Sequence, residues 1–134
     1  MRVTGYVGGV PAPIEIEPID TNPIRGPYLA HDAAVAFRAM RAAAALDGIT
    51  LKANSGWRSY ITQYRFYREW QEGKRKPRPS KPGWSKHHSG VAVDIQRSHD
   101  GRIDVWLAAH AREHGFIANV PGEAWHFEYV GTVV

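Results

Sequence analysis

Three stretches of the 134-residue chain carry the side chains best suited to chemistry: G-W-R-S at 56–59, S-K-H-H-S-G-V-A-V-D at 85–94 and E-A-W-H at 123–126. Among them His87, Asp94 and His126 offer two imidazoles and one carboxylate, a set suited to a zinc site with three protein ligands and its fourth position open. That open position is what separates a catalytic zinc from a structural one. Asp94 stands between Val93 and Ile95, where an ionised carboxylate is expensive unless it is paired or metal-bound. Glu123 precedes His126 by three residues, so a turn can bring its carboxylate beside the metal without making it a ligand. A carboxylate so placed can take a proton from water. The chain has no cysteine, which excludes thiolate chemistry, thiolate metal sites and a disulfide scaffold. A competing pattern, H-A-R-E-H at 110–114, sets two histidines on one helical face with a glutamate between them. It is short, few residues follow it, and His114 before Gly115 suits a helix C-terminus, where a cation is favoured, so it is read as structural.

The elements that must position these residues follow from periodicity and punctuation. From Asp32, a candidate cap, the run A-A-V-A-F-R-A-M-R-A-A-A-A-L places Val35, Phe37, Met40 and Leu46 amid good helix formers, and Gly48 supplies a stop. I-T-L-K-A-N at 49–54 alternates as a strand and ends in the turn Asn54-Ser55-Gly56. A second helix opens at Ser59, carries Ile61, Tyr64 and Tyr67, and stops at Gly73. V-A-V-D-I at 91–95 and F-E-Y-V at 127–130 read as strands, and Ile103 to His114 as a third helix. Prolines at 11, 13, 18, 23 and 27 predict that residues 1–27 are short extended pieces joined by turns along the domain edge. Trp70 and Trp106 are expected in the core, and K-R-K-P-R-P-S-K at 74–81 as a solvated loop. The order fits a single α+β domain over 1–134, an antiparallel sheet flanked by about three helices, better than alternating βαβ winding.

Seventeen Lys and Arg against thirteen Asp and Glu give a formal charge of +4, which favours polyanionic surroundings without choosing among nucleic acid, anionic lipid and cell wall. No apolar run approaches the roughly 20 residues of a membrane span. Pro11, Pro13, Glu15 and Glu17 interrupt the apolar start, so no secretory signal peptide is expected.

On these residues the sequence resembles the zinc D-alanyl-D-alanine carboxypeptidases of the VanY type. Their superfamily includes phage L-alanyl-D-glutamate endolysins, lysostaphin-like peptidases and the hedgehog domain. The pattern S-x-H-x-x-G-x-A-x-D is met at Ser85, His87, Gly90, Ala92 and Asp94, and E-x-W-H at Glu123, Trp125 and His126. The first pattern alone should arise by chance in on the order of 1 in 10⁴ chains of this length. The resemblance runs from about Tyr28 to Gly131 and includes S-G-W-R-S-Y-I-T-Q at 55–63. It implies a hedgehog/DD-peptidase-like fold, one Zn2+ held by His87, Asp94 and His126, and Glu123 as general base. It also implies that Arg58, Gln63 and Ser85 position a peptide, while His88 falls on a variable position. A guanidinium at Arg58 independently suits a substrate carboxylate or a developing oxyanion.

The implied function is hydrolysis of peptidoglycan stem peptides, foremost as a D-alanyl-D-alanine carboxypeptidase. Only A-N-V-P-G at 118–122 separates Ile117 from Glu123, shorter than in the carboxypeptidases it resembles, which predicts a more open cleft. That keeps an endolysin-type endopeptidase cutting between L-Ala and D-Glu as the alternative. The expected partners are the stem peptide and, at the Lys74 to Lys81 loop, anionic cell-wall polymers. The expected setting is a protein made in the cytoplasm and acting at the wall, released through a holin pore or carried in a bacteriophage virion. A basic-patch nuclease would share the charge but lacks a recognised acidic two-metal cluster or base-reading element, so nucleic acid is disfavoured. A noncatalytic zinc-binding module would leave Glu123 without a role.

Overall fold

The N-terminal prolines sort the strands rather than preventing them. β1 (Arg2–Val7), β2 (Val10–Thr21) and β3 (Ile24–Ala30) form an antiparallel sheet in that order. The structure, a computed structural model, describes residues 1–131; the single-domain expectation over 1–134 includes positions 132–134, which lie outside the described residues. Met1 and Ile16 exchange backbone hydrogen bonds of 2.9 and 2.7 Å, so the alternation of the ladder leaves Pro11, opposite Tyr6, and Pro13, opposite Thr4, at pairs that need no N–H. The first half of β2 pairs with β1 and the second half with β3, so each half keeps a free side that tolerates proline. At Pro18 the ladder with β3 slips in a bulge. The segment 1–27 is extended and joined by turns as its prolines suggest, but its pieces are not all short: β2 alone runs for 12 residues and buries Ile16 and Ile19.

Helix α1 (His31–Leu46) packs Phe37 and Met40 into the core and leaves Val35 and Leu46 exposed. Ala30 holds the cap position without a side-chain bond, and Asp32 lies in the first turn, where its charge complements the helix dipole. α2 (Tyr60–Gln71) begins as expected, with Ser59 Oγ accepting the Thr62 N–H at 3.1 Å, but buries only Gln63. Its apolar residues Ile61 and Tyr64 are exposed, so α2 walls a cleft instead of filling the core.

The second sheet positions the chemistry. β4 (Ala53–Ser55), β5 (Ala92–Ile95), β6 (Phe116–Ile117) and β7 (His126–Tyr129) form an antiparallel sheet in the order β4-β5-β7-β6. Ile49 and Leu51 are buried as an alternating strand requires, yet pairing starts only at Ala53, opposite Ile95. The third helical segment is two pieces, α3 (Arg102–His110) and a 3-10 turn at Ala111–His114. Phe37, Val93, Trp106, Leu107, Phe116 and Phe127 share one core between α1, α3 and this sheet. Trp106 sits there as expected; Trp70 is only partly buried, under the side chain of Arg78. The architecture is α+β, three helices on antiparallel sheets. Among the described residues no helix is long and apolar enough to cross a membrane.

Candidate metal centre

Strand alternation sorts β5 and β7 into two faces. Val93 and Phe127, directly opposed, point into the core, so Asp94 and its partner His126 must point out of it. His87 arrives on a 3-10 turn, Lys86–Ser89, that Ser85 opens by accepting the His87 N–H on Oγ at 3.2 Å. Gly90 closes the turn at φ +76°, where a Cβ would also stand 2.7 Å from the Ala30 nitrogen. Gly56 is required for a similar reason: a Cβ there would collide with the Tyr28 carbonyl oxygen.

One ligand atom from each of His87, Asp94 and His126 lies within 4.8 Å of the others. His87 Nε2 and His126 Nδ1 each stand 3.3 Å from Asp94 Oδ1. The outer nitrogens decide the tautomers. His87 Nδ1–H donates to the Gly56 carbonyl at 2.8 Å, and His126 Nε2–H donates to Glu128 Oε2 at 2.8 Å. Each neutral ring therefore turns a lone pair toward Asp94, and three acceptors converge with no donor among them. A cation satisfies such a set, and imidazoles backed by a carbonyl and a carboxylate are the usual outer support of a metal site. The residues fit a zinc-type ion on that chemistry. A proton is the other cation this set can take: burial works to raise the Asp94 carboxyl, but once the inner nitrogens of His126 and His87 are protonated and donate to it, their hydrogen bonds outweigh burial and hold the group well below the usual carboxylate range. Burial likewise opposes charge on His126, yet Asp94 and Glu128 raise its affinity for a proton, the cation that competes with a metal there.

The three ligands line a cleft of about 400 Å³ that also takes in Arg58, Gln63, Ser85, Glu123 and Trp125. Arg58 Nη2 stands 3.6 Å from Asp94 Oδ2 and donates to Ser55 Oγ at 3.0 Å, while Nη1 donates to Gln63 Oε1 at 3.0 Å. Gln63 is 1% exposed, and its Nε2 donates to the Ser80 carbonyl at 2.8 Å, so both ends of its amide are occupied behind Arg58. Glu123 sits half-buried in the turn before β7 and forms no ion pair within 4.0 Å among the described residues. His88 is fully buried: Nδ1–H donates to the Arg58 carbonyl and Nε2 accepts the Gly83 N–H. Accepting that N–H keeps His88 neutral, and burial lowers its proton affinity further.

The rival H-A-R-E-H segment gathers no third ligand. α3 ends at His110, so the i, i+4 geometry across the break is lost, and His110 and His114 both pack on Trp106. Among the described residues no second cluster of potential metal ligands occurs.

Two features escaped sequence reasoning. Glu128 is buried and orients His126, and Asn119 Nδ2 donates to its second oxygen at 3.2 Å. The spacing H-x-E on a strand, which puts both side chains on one face, was the available signal. The loop at 74–81 is also more than a solvated surface, because Arg75, Lys76 and Arg78 line the cleft.

An open three-ligand set beside a carboxylate that ligates nothing is the arrangement of a hydrolytic metal centre. The chain belongs to the VanY family: the family model, described as D-alanyl-D-alanine carboxypeptidase, matches residues 26–132. It is 31% identical over 128 residues to "Putative carboxypeptidase YodJ" of Bacillus subtilis (strain 168), covering 78% of this chain and 47% of that protein. The chain thus spans about half the length of that curated relative. The LdcB LD-carboxypeptidase structure matches with 30% identity and a TM-score of 0.68, over 78% of this chain and 60% of that one. A variant of the D,D-pentapeptidase VanY from the VanB-type vancomycin resistance cassette, solved with Zn(II), shares the fold at a TM-score of 0.72 and 23% identity, covering 88% of this chain and 79% of that one.

Proposed function

We propose that this chain is a zinc-dependent D-alanyl-D-alanine carboxypeptidase that trims peptidoglycan stem peptides. The observation that carries the reading is the convergence of three acceptor atoms within 4.8 Å, their tautomers set by Gly56 and Glu128, in a cleft that holds a half-buried glutamate. Family membership supplies the reaction class, and the Zn(II) bound by the VanY variant supports the choice of ion. His87 through Nε2, Asp94 through Oδ1 and His126 through Nδ1 would hold it. When bound, zinc polarises a carbonyl and makes water acidic near neutral pH.

The remaining work falls to the protein. Glu123 takes the proton of the attacking water and delivers it to the leaving amine. Arg58, charged and partly buried, binds the terminal carboxylate or the developing oxyanion, two roles that a guanidinium fork serves equally. Gln63 fixes the Arg58 fork from behind. Ser85 holds the turn that delivers His87 and turns its hydroxyl to the same cleft.

A second reading, endolysin-type cleavage between L-Ala and D-Glu, draws on the short exposed connection at 118–122, which leaves the cleft open beside Glu123. It carries with it a bacteriophage origin and release at the wall through a holin pore. Mass spectrometry of defined muropeptides after incubation with the zinc-loaded protein separates the two. Loss of a single terminal alanine is the expected result, a cut after L-Ala selects the endopeptidase, and intact peptides overturn both.

A further inference from the structure

The basic loop places its cations in the cleft. Arg75, Lys76 and Arg78 line the same space as Asp94, Glu123 and His126. Two of them are held by stacking: the Arg75 guanidinium carbon lies 3.8 Å from the Phe66 ring centre, and that of Arg78 lies 4.8 Å from the Trp70 ring centre. Arg75 Nε donates to Glu69 Oε1 at 3.0 Å, and its terminal nitrogens have no partner among the described residues. Pro77 and Pro79 have fixed φ, and the Ser80 carbonyl is tied to Gln63, so the loop has little freedom left to lose on binding. Arg58 faces the same Phe66 ring at 5.0 Å, so this row of cations, Arg58, Arg75, Lys76 and Arg78, shares one cleft with the metal ligands.

The row is short of anions. Asp94 faces Arg58 at 3.6 Å but is shared with the imidazoles, Glu128 is committed to His126, Glu123 lies in the cleft without an ion pair within 4.0 Å among the described residues, and Glu69 reaches only Arg75 Nε. Among the described residues no carboxylate lies within 4.0 Å of the charged nitrogens of Lys76 or Arg78. Burial depresses the pKa of Arg58 and Arg75 adds to the fall, against Asp94 and Glu123, so the two guanidinium groups are close enough to repel each other. Stacked guanidinium forks are preorganised for planar two-point contact with a carboxylate.

We propose that this row is a subsite for a second carboxylate of the substrate, so that the chain prefers stem peptides whose internal carboxylates are free over those in which they are amides. The inference rests on the peptidase reading for the kind of substrate. A phosphate polymer of the wall is the other polyanion that the charge would attract. The row lines the same cleft of about 400 Å³ as the metal ligands, which favours a group carried on the peptide itself.

The test uses the full chain and two stem peptides that differ only in having internal carboxylates or their primary amides. Binding is measured by calorimetry on the zinc-loaded Glu123→Gln protein, and hydrolysis on the protein with Glu123 intact. The acid peptide should bind roughly tenfold more tightly than its amide twin, the preference should appear in KM and not in kcat, and salt should erase it. The combined change Arg75→Gln, Lys76→Gln and Arg78→Gln should narrow the ratio to about twofold or less. Because Arg75 packs on Phe66, the double change Lys76→Gln and Arg78→Gln is measured beside it and should remove at least about half of the preference on a logarithmic scale.

Equal binding of both peptides, or a preference that survives the triple change, overturns the proposal. Cleavage of both with the same KM sinks the subsite and leaves the peptidase reading standing, whereas acid-selective binding without any cleavage keeps the subsite and sinks that reading. Retention of poly(glycerol phosphate) that depends on the three cations, without discrimination between the peptides, reassigns the row to a polymer and overturns it too.

Discussion

Glu123 reaches the cleft on a turn closed by the backbone: its N–H donates to the Val120 carbonyl and its own carbonyl accepts the His126 N–H, each at 3.1 Å. The carboxylate itself holds nothing in place, so Glu123→Gln should leave the turn and the ligands intact. The expected outcome is full zinc occupancy with turnover lower by about 10²- to 10⁴-fold, the usual contribution of a positioned base. Metal analysis and peptide hydrolysis on one preparation check it, and unchanged turnover would remove Glu123 from the chemistry. Glu128 makes the opposite case. It touches no substrate but holds the tautomer of His126, so Glu128→Gln should weaken zinc about 10- to 100-fold in a chelator competition. An unshifted affinity would show that the imidazole is oriented by packing alone.

Between elements, the N-terminal sheet is bound to α1 by charge as well as by core. Arg38 donates to Glu17 Oε2 at 2.9 Å and to the Ile19 carbonyl at 2.9 Å, and Arg41 Nη2 donates to Asp20 Oδ1 at 2.7 Å. The hydrogen bond from Arg41 lowers the pKa of Asp20 below its ordinary 3.8, against a smaller opposing effect of burial. A carboxylate with a depressed folded pKa gives stability that is present above the unfolded value and lost as pH falls through the folded one. Arg41→Ala should therefore cost about 0.5–1 kcal/mol at pH 7, and the gap should close once the medium falls well below pH 3.8. Urea unfolding at two pH values reads this directly. A gap that persists in acid would assign the loss to packing of Arg41 over Phe37, 5.9 Å away. This junction was also the least legible part of the chain. Helices α1 and α2 announced themselves by composition, Ser59 and Gly48, because caps and stops are local. Prolines are local signals too, but whether they are tolerated depends on which side of β2 is paired, a non-local fact. The same limit hid the outward face of α2, where Ile61 and Tyr64 are exposed, and the place of the basic loop on the cleft wall. The grouping of His87, Asp94 and His126, with Glu123 in the same cleft, was legible because residue type and the spacing of two family motifs mark those positions, whereas Glu128 looked like one polar step of an alternating strand.

Across the whole molecule, the ligands join parts that the shared core and backbone hydrogen bonds also hold together. His87 stands on a turn whose Gly90 carbonyl takes the Ala30 N–H at 2.9 Å, at the junction of β3 and α1, and its ring is bound to Gly56 after β4. Asp94 and His126 come from adjacent strands of the other sheet. An ion held by all three ties both sheets and α1 together, and it does so only in the folded chain. Binding of that kind stabilises by about 2.7 kcal/mol at a hundredfold excess of free ligand over its Kd. For a chain of this length that raises Tm by on the order of 10 °C. Zinc should give such a rise in the parent protein and in Glu123→Gln, and a chelator should reverse it. His87→Ala and His126→Ala should not respond, while His110→Ala should respond fully because its imidazole packs on Trp106 away from the cleft. A response that vanished with His110 and survived without His87 would move the metal to α3, and no response in the parent protein would leave the three converging acceptors without a cation and Glu123 without a reaction to serve.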